Sequence, residues 1–353
     1  MPSQRRTFES RIDYSLLLPV LLLLSIGVTA IYIAVSHDYP NNVLQIVGQQ
    51  VVWILLGFLI SFIVMFFNTK FLWKMTPFLY IIGLGLMVLP LVFYSESLVA
   101  STGAKNWVSI RGVTLFQPSE FMKISYILML SRVVVKFLQQ NKNYERTIAL
   151  DLFLIVKLAL YTLPVLLLLA LQSDLGTALV FAAIYCGIVL LSGVSWKIIL
   201  PVFLTVSLLF TVFMLIFISN GGRAFLHGLG MPTYQINRIS AWLYPFEYAQ
   251  TVTYQQAQGQ IAIGSGGLLG QGFNVSNLLV PVRESDMIFT VIAEDFGFLG
   301  SSLVIVIYLF LIHRMLQITI KSNNQFYTYI STGLIMMLLF HIFENIGAVT
   351  GIL

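Results

Sequence analysis

The sequence contains very little charge and a single cysteine. Only 9% of its 353 residues are Asp, Glu, Lys or Arg, whereas 58% are hydrophobic. A water-soluble domain of this size needs more charged residues to keep its surface hydrated, so that class of protein is excluded. One cysteine, Cys186 in an apolar block, is too few for a disulfide framework or a thiolate metal cluster.

The hydrophobic residues occur in long blocks without alternation. Each block has the ~20 residues that a helix needs to cross a hydrocarbon core roughly 30 Å thick. A transmembrane barrel would instead show alternating segments of about 10 residues. We therefore predict an all-α polytopic integral membrane protein, with one membrane domain over 1–353. Its nine predicted spans are 14–35, 46–67, 73–94, 117–138, 152–171, 175–192, 197–218, 287–313 and 327–351.

Lys and Arg residues are concentrated in alternate connections between these spans, beginning with Arg5, Arg6 and Arg11 before the first span. This pattern indicates membrane topology, and not a nucleic-acid-binding patch, as the source of the net charge of +5. The N-terminus is then cytoplasmic, and the longest connection, 219–286, is a large extracellular loop between spans seven and eight. Its composition is typical of a functional segment, in which we expect short helices, for example at 254–263.

Ionisable residues near the outer ends of the spans are candidates for function, because charge inside a membrane is costly. Glu120 and Lys123 share one helix face, where they either neutralise each other or face an anionic ligand. Asp174 most simply caps the sixth span. Asp286, where the large loop meets the eighth span, could be a helix cap or a general base. Glu294, two turns deeper, would support that site.

Cations on the predicted outer face, among them Lys105, Arg111 and Arg283, could bind a polyanionic headgroup or anchor lipid phosphates. The glycine-rich run 264–272 contains neither Gly-Lys-Ser/Thr nor a GxGxxG spacing. No nucleotide cofactor is therefore expected there. The run is more typical of close backbone turns.

Several short motifs occur in order along nearly the whole chain. They are Gly103-Ala104-Lys105-Asn106-Trp107, Phe116-Gln117-Pro118-Ser119-Glu120 with Lys123, Asp174-Leu175-Gly176-Thr177, Tyr254-Gln255-Gln256, Ala262-Ile263-Gly264-Ser265-Gly266-Gly267-Leu268, Ser285-Asp286-Met287-Ile288-Phe289 with Ala293-Glu294, and Asn345-Ile346-Gly347. In this combination the chain resembles the SEDS family (shape, elongation, division and sporulation). The segment 282–287 is more similar to the RodA branch of that family than to the FtsW branch.

The resemblance implies a SEDS-type helical bundle and a peptidoglycan glycosyltransferase that polymerises lipid II into glycan strands during cell elongation. The implied mechanism inverts the donor sugar, with Asp286 as the base. The substrate-binding residues would include Lys105, Trp107, Arg111, Gln117, Ser119, Glu120, Lys123, Tyr254, Gln255, Ser265 and Arg283, with Asp174 and Glu294 in support.

The resemblance also implies partners and a location. The partners would be lipid II, an undecaprenyl-diphosphate-linked glycan, a class B penicillin-binding protein that acts as transpeptidase, and proteins of the elongation machinery. A divalent cation, Mg or Mn, is expected at the diphosphate. The protein would lie in the cytoplasmic membrane of a bacterium with its active face outside. Family members normally continue past Gly351 into a tenth span, so we expect that a final segment is missing from this sequence.

Two other functions remain open from the sequence. A flippase for the lipid-linked precursor would show inverted repeats and broken helices near the midplane of the membrane. The sequence has no internal repeat, and its polar residues are concentrated towards one face. A non-catalytic scaffold that activates a transpeptidase would not need Asp286 or the glycine-rich run. Both features favour the glycosyltransferase.

Overall fold

The computed structural model describes residues 12–110, 113–247, 253–275, 278 and 280–352 of the chain. Thirteen helices and two strands occur in these residues. In chain order they are α1 (Tyr14–Asp38), α2 (Val43–Val64), α3 (Thr69–Val92), α4 (Glu96–Thr102), β1 (Val108–Ile110), β2 (Val113–Phe116), α5 (Pro118–Gln140), α6 (Ile148–Leu171), α7 (Leu175–Leu191), α8 (Trp196–Ile218), α9 (Gly222–Gly228), α10 (Thr233–Leu243), α11 (Tyr254–Ser265), α12 (Ile288–Lys321) and α13 (Gln325–Thr350).

The nine longest helices of the described chain coincide one to one with the nine predicted spans. They are α1, α2, α3, α5, α6, α7, α8, α12 and α13. Seven of them are long and apolar enough to cross a membrane. The other two are α7, an apolar helix of 17 residues, and α5, which carries four charged residues. The predicted all-α membrane fold is confirmed, and α12 continues to Lys321, past its predicted end at 313.

Polar side chains start several of these helices. Asp174 accepts the N–H of Thr177 at 3.0 Å, which confirms the predicted cap of α7. Asp13 accepts the N–H of Leu16 at the start of α1. Such bonds satisfy amide groups that the first helical turn leaves without an intrahelical partner.

The chain folds into two compact units. The first unit comprises Met1–Phe66, Thr205–Met315 and Ile342–Leu353, and the second comprises Phe67–Leu204 and Leu316–His341. In the second unit α3, α6 and α7 pack around α5. Side chains that are buried on several faces of α5, such as Tyr126, Ile127 and Leu128, form the centre of that core. Because neighbouring helices cover α5 on most sides, it has no wide polar face.

The core of the first unit is smaller and lies around the beginning of α12. Ala30 and Ile33 of α1 are buried together with Val291 and Ile292 of α12. In a neighbouring cluster Ala262 of α11 packs with side chains of the turn before α12 and of α13. The helix α11 begins at the residue where we predicted a short helix in the large loop, so that prediction is confirmed.

A small hairpin in the second unit was not predicted. Strands β1 and β2 are antiparallel and pair Val108 with Phe116, Ser109 with Thr114 and Ile110 with Val113. The segment is rich in β-branched residues, which suit a pleated strand. Its strands are only three and four residues long, too short for the alternation of side chains to stand out in the sequence.

Candidate functional site

Asp286 lies in the first unit, in a turn over 281–287 that leads directly into α12. The turn is held by its own backbone, with the N–H of Ser285 and of Met287 both donating to the carbonyl of Val282. Among the described residues the exposed Asp286 carboxylate makes no hydrogen bond or ion pair. It therefore does not cap α12 in this structure. Its oxygens are available to a ligand.

Arg283 anchors this turn to the end of α1. The residue is 2% exposed, and its guanidinium forms two bonds to the Asp38 carboxylate, of 2.7 Å from Nε and 2.8 Å from Nη2. A third bond runs from Nη1 to the carbonyl of Leu278. A bidentate pair fixes both distance and orientation. Substrate binding by Arg283 stays a prediction, and the observed role of the side chain is to hold the turn three residues before Asp286.

A second contact between the same two segments joins Tyr39 and Glu284. The carboxylate of Glu284 raises the pKa of Tyr39 above its usual value, and the phenol donates a hydrogen bond to that carboxylate. The other carboxylate oxygen, Oε2, is buried without a hydrogen-bond partner among the described residues. Two neighbouring side chains, Arg283 and Glu284, thus bind two neighbouring residues at the end of α1, Asp38 and Tyr39. With two contacts, the turn is less free to rotate relative to the end of α1 than it would be with one.

Helix α11 supplies three of the predicted binding residues. Gln255 donates from Nε2 to the carbonyl of Pro281 at 3.2 Å and so joins α11 to the Asp286 turn. Tyr254 is exposed and makes no hydrogen bond within the described chain. Ser265, at the other end of α11, donates to the carbonyl of Ala262. The structure brings Gln255 to the turn, while Ser265 is bonded within its own helix.

The glycine-rich run lies against a break in α12. Gly297 has a φ of 63° and a ψ of −158°, which interrupts the helix. The carbonyls of Glu294 and Asp295 accept the N–H groups of Gln271 and Gly272, at 2.9 and 3.2 Å. Backbone groups that the break would leave without partners are thereby paired. The predicted close backbone turns are observed.

This approach depends on residues without side chains. A Cβ built at Gly266 would lie 1.9 Å from the carbonyl oxygen of Ala293, and one at Gly270 would lie 2.0 Å from that of Asp295. Either distance is far below contact range. Glu294 and Asp295 are both 2% exposed at this point. The Asp295 carboxylate accepts the N–H of Asn274 at 2.7 Å, so one acid of this pair holds the end of the glycine-rich run.

In the second unit, Asp174 is the centre of a separate polar cluster. Besides capping α7, its carboxylate accepts from Asn106 Nδ2 at 2.8 Å, from Thr177 Oγ1 at 2.9 Å and from Gln117 Nε2 at 3.5 Å. The side chain is buried. The cluster ties the segment before β1 and the start of α5 to the start of α7. The supporting role of Asp174 and the binding role of Gln117 both stay predictions.

Lys105 and Trp107 lie on the same segment as Asn106. The Lys105 N–H donates to the carbonyl of Gln172 at 2.8 Å, and its ammonium lies 4.6 Å from the centre of the Tyr94 ring. Trp107 is 40% exposed. The backbone of the segment is therefore fixed, and both side chains remain accessible to a ligand. Arg111 lies outside the described residues.

Glu120 and Lys123 form an ion pair on one face of α5, which is one of the two alternatives that the sequence left open. The Lys123 ammonium lies 2.9 Å from a Glu120 oxygen, and Lys123 is 3% exposed whereas Glu120 is 60% exposed. Lys123 Nζ also lies 2.9 Å from Nε2 of His341 on α13. Because an ammonium only donates, His341 accepts here and carries its proton on Nδ1. Ser119 beside them is buried, and its hydroxyl has no partner among the described residues.

Sequence reasoning missed several residues that shape these sites. Asp38 holds Arg283, His341 holds Lys123, and Asn274 holds Asp295. Each pair joins residues that are far apart in the chain except the last, which is 21 residues apart. Single polar residues at the end of a span carry no local signal for such a pairing. Asp38 could have been found only as an acid that the membrane would not tolerate without a cation.

A protein cage for a metal ion is not evident. Within the described part of the chain, no group of three or more His, Cys, Asp or Glu side chains is arranged to hold one. The divalent cation stays an expectation, and these donors do not fit an ion held by protein side chains alone.

Comparisons with known proteins agree on one family. The family model described as cell cycle protein, which covers FtsW, RodA and SpoVE, matches residues 14–353. The chain is 30% identical to peptidoglycan glycosyltransferase MrdB of Escherichia coli strain K12, over 99% of this chain and 87% of that protein. It is 28% identical to the probable peptidoglycan glycosyltransferase FtsW of Lactococcus lactis, over 97% and 85%. A chain of a solved peptidoglycan synthase complex aligns with a TM-score of 0.74, at 25% identity, over 96% of this chain and 87% of that one.

Proposed function

The chain belongs to the FtsW, RodA and SpoVE family of cell cycle proteins, the SEDS family, and from this premise we propose that it is a peptidoglycan glycosyltransferase. Its substrate is lipid II, which it polymerises into glycan strands. Relatives that carry this activity in their names match nearly the whole chain. The observation that carries the proposal within this molecule is the Asp286 turn, which presents a carboxylate without partners among the described residues on a firmly held backbone.

Asp286 acts as the general base in this proposal. Its carboxylate takes the proton of the acceptor sugar hydroxyl while that oxygen attacks the anomeric carbon of the donor. The bond from this carbon to the diphosphate oxygen breaks, and its electron pair leaves with undecaprenyl diphosphate. Attack from the side opposite the leaving group inverts the anomeric carbon. A base that already forms protein hydrogen bonds would have to lose them first, and Asp286 has none to lose within the described chain.

The polar residues of the second unit suit an anionic headgroup. Lys105 keeps its ammonium accessible beside Tyr94, and we assign it to the diphosphate, where a cation stabilises the departing charge. Lys123 is buried and already shared between Glu120 and His341. Its role is to fix the exposed Glu120 carboxylate. A divalent cation would take most of its ligands from the diphosphate, and no step of the reaction is derived from it.

The location and the partners follow from the same premise. The protein is a multi-pass membrane protein. We place it in the cytoplasmic membrane of a bacterium, with the N-terminus inside and the 219–286 loop outside, according to the distribution of Lys and Arg. A solved relative belongs to a peptidoglycan synthase complex, which supports a class B penicillin-binding protein as the partner, together with proteins of the elongation machinery.

One experiment tests the function. The full-length protein is purified with its transpeptidase partner and supplied with lipid II, and the glycans are separated on a gel. Asp286→Asn should lower polymerisation by about 10² to 10⁴, the usual contribution of a general base. The matched control Glu145→Gln, at an exposed acid in the connection before α6, should leave it unchanged. Undiminished glycan from the Asp286 variant would overturn the catalytic assignment.

The break in α12 favours a second candidate, a flippase, because transporters often bind substrates at interrupted helices. Here, however, the Glu294 and Asp295 carbonyls at the break already accept from Gln271 and Gly272. The break is filled by the chain itself and not left for a substrate. Movement of lipid II across liposomes by the purified protein, without any polymer formed, would support the flippase and overturn the glycosyltransferase.

A further inference from the structure

Three cations of the second unit line a single cavity. The cavity has a volume of about 350 Å³ and lies between α3, α5 and α6. Its lining comprises Pro77, Met129, Arg132, Val133, Lys136, Lys157 and Tyr161. The volume is at the lower end of the range for ligand pockets. None of the site residues considered above belongs to this lining.

The charges in the cavity are unbalanced. Among the described residues, none of Arg132, Lys136 and Lys157 forms an ion pair with an acid. Arg132 donates from Nη1 to the carbonyl of Trp73 at 2.9 Å and stacks over the Trp73 ring. Lys157 lies 5.9 Å from the centre of the Phe153 ring. These contacts orient Arg132 and Lys157 without neutralising them, and together with Lys136 three cationic residues line one small space.

The cavity lies towards one end of its three helices. Pro77 lies near the start of α3, and Lys157 lies near the start of α6. Arg132 and Lys136 lie near the end of α5. At a rise of 1.5 Å per residue, these positions are about 6 to 14 Å inside the helix ends. Lys70, Lys74, Lys142 and Arg146 lie at or just beyond the same ends, which the distribution of Lys and Arg predicts to be cytoplasmic.

The remaining walls of the cavity are apolar. Met129 and Val133 are buried, and Pro77 is half-buried. Tyr161 adds a hydroxyl that makes no hydrogen bond with another described residue. A ligand that fits must therefore combine an anionic group with an apolar portion. A phospholipid has both, and basic pockets between membrane helices on the cytoplasmic side bind such headgroups.

We propose that this cavity binds the headgroup phosphate of an anionic phospholipid from the cytoplasmic leaflet. Arg132, Lys136 and Lys157 hold the phosphate, the Tyr161 hydroxyl donates to it, and the first part of an acyl chain lies against Met129 and Val133. Snorkelling alone would direct each lysine away from the bilayer centre independently. Three cations that converge on one cavity instead stabilise a common anion.

The test uses the full-length protein in nanodiscs and native mass spectrometry of the lipids that it retains. The protein should retain phosphatidylglycerol at least tenfold more strongly than phosphatidylcholine. Combined Arg132→Gln, Lys136→Gln and Lys157→Gln substitutions should reduce that preference at least tenfold. The matched control combines Lys70→Gln, Lys74→Gln and Lys142→Gln, which remove the same charge from exposed positions of the same predicted face, and it should keep the preference.

A second variant excludes misfolding as the cause. Lys136→Gln with Lys157→Gln leaves the Arg132 bond to Trp73 in place and should reduce the preference by less than the triple substitution. Its melting temperature should match that of the wild type. Equal retention of both lipids, a wild-type preference in the triple variant, or an equal loss in the control would each overturn the proposal. So would displacement of the lipid by inorganic phosphate but not by chloride of equal ionic strength, which would indicate a site for soluble phosphate.

Discussion

Asp174 lies directly before α7 and Asp286 two residues before α12, and the two carboxylates have opposite surroundings. Asp174 is buried and accepts four hydrogen bonds, from Asn106, Gln117 and two groups of Thr177. Asp286 is exposed and accepts none from the described residues. Both turns are nonetheless well held. The turn of Asp286 is fixed by the side chains of its neighbours, so the carboxylate itself does not have to contribute.

The difference separates two uses of an aspartate at a helix start. A buried carboxylate that accepts several donors stabilises the fold and cannot leave its partners without cost. An exposed carboxylate on a fixed backbone contributes little to stability and is positioned for a ligand. Asp13 is an intermediate case, because it caps α1 and also binds Arg314 at the surface. The following predictions test whether this division is real.

The largest effect on stability is expected at Asp38, which holds the Asp286 turn through Arg283. Asp38→Asn leaves a buried guanidinium without a countercharge, and removing one partner of a buried ion pair costs roughly 3–5 kcal/mol. The thermal denaturation of the purified protein in detergent measures this. Polymerisation should fall as well, because the turn loses its anchor.

The control for Asp38 replaces both partners together. Asp38→Leu with Arg283→Met removes both charges and should destabilise the protein less than Asp38→Asn alone. If the single substitution left the melting temperature unchanged, the Asp286 turn would not depend on this pair, and the contrast with Asp174 would lose its explanation.

Features that depend on local sequence could be predicted, and features that depend on distant pairs could not. The span positions, the Asp174 cap and the helix beginning at Tyr254 all follow from hydrophobic blocks or from residues three or four apart. The pair of Asp38 and Arg283 joins positions 245 residues apart. Nothing in the sequence near either residue specifies the other. Because this pair holds the Asp286 turn, local sequence patterns could not predict that the Asp286 carboxylate is accessible.

The break in α12 was also missed, for a different reason. The span around Gly297 contains no proline that would mark a break, and one glycine inside a helix is tolerated at modest cost. What determines the break is the close approach of the glycine-rich run, in which a Cβ at Gly297 would lie 2.4 Å from the backbone nitrogen of Gly270. Two glycine-containing segments had to be considered together for that contact to be predicted.

Two glycines at the end of α11, Gly264 inside the helix and Gly266 at its C-cap, test how firmly the first unit is packed behind the Asp286 turn. Gly266→Ala places a methyl group against the Ala293 carbonyl and should destabilise the protein by about 3 kcal/mol, the upper end for overpacking. Gly264→Ala, two residues earlier, has no atom within 4 Å of the added carbon. It should be neutral or slightly stabilising. Equal melting temperatures for the two variants would contradict the close approach.

The direct test of the opening comparison replaces each aspartate with alanine. Asp174→Ala loses a helix cap and leaves the half-buried amide donors of Asn106 and Gln117 without this acceptor, at a cost of about 2 kcal/mol. Asp286→Ala removes no observed contact and should change the free energy of unfolding by less than about 0.5 kcal/mol. Melting curves of the two variants, recorded in the same detergent, measure the two losses of stability. A larger loss at Asp286 would mean that its carboxylate belongs to the fold.

The smallest effect is expected at Asp13 and depends on pH. The hydrogen bond from Arg314 holds the pKa of Asp13 below its usual value. The folded protein therefore binds this proton less tightly than the unfolded chain does. The stabilisation is present above the pKa of the unfolded chain and is lost as the pH falls through the lowered pKa of the folded state. Because the pair is partly exposed, its size is about 0.5 kcal/mol or less.

Asp13→Asn isolates this charge, because asparagine is also a good helix cap. The melting temperature of the variant should lie slightly below that of the wild type near neutral pH, and the gap should close as the pH is lowered through the acidic range. A gap that persists at low pH would show that Asp13 acts through its cap alone, as a weaker version of Asp174. If the difference in melting temperature closes, the Arg314 cation stabilises Asp13 at the start of α1 without burial. Asp13 then stands between Asp174, which is held by burial and hydrogen bonds, and Asp286, which the described residues do not hold.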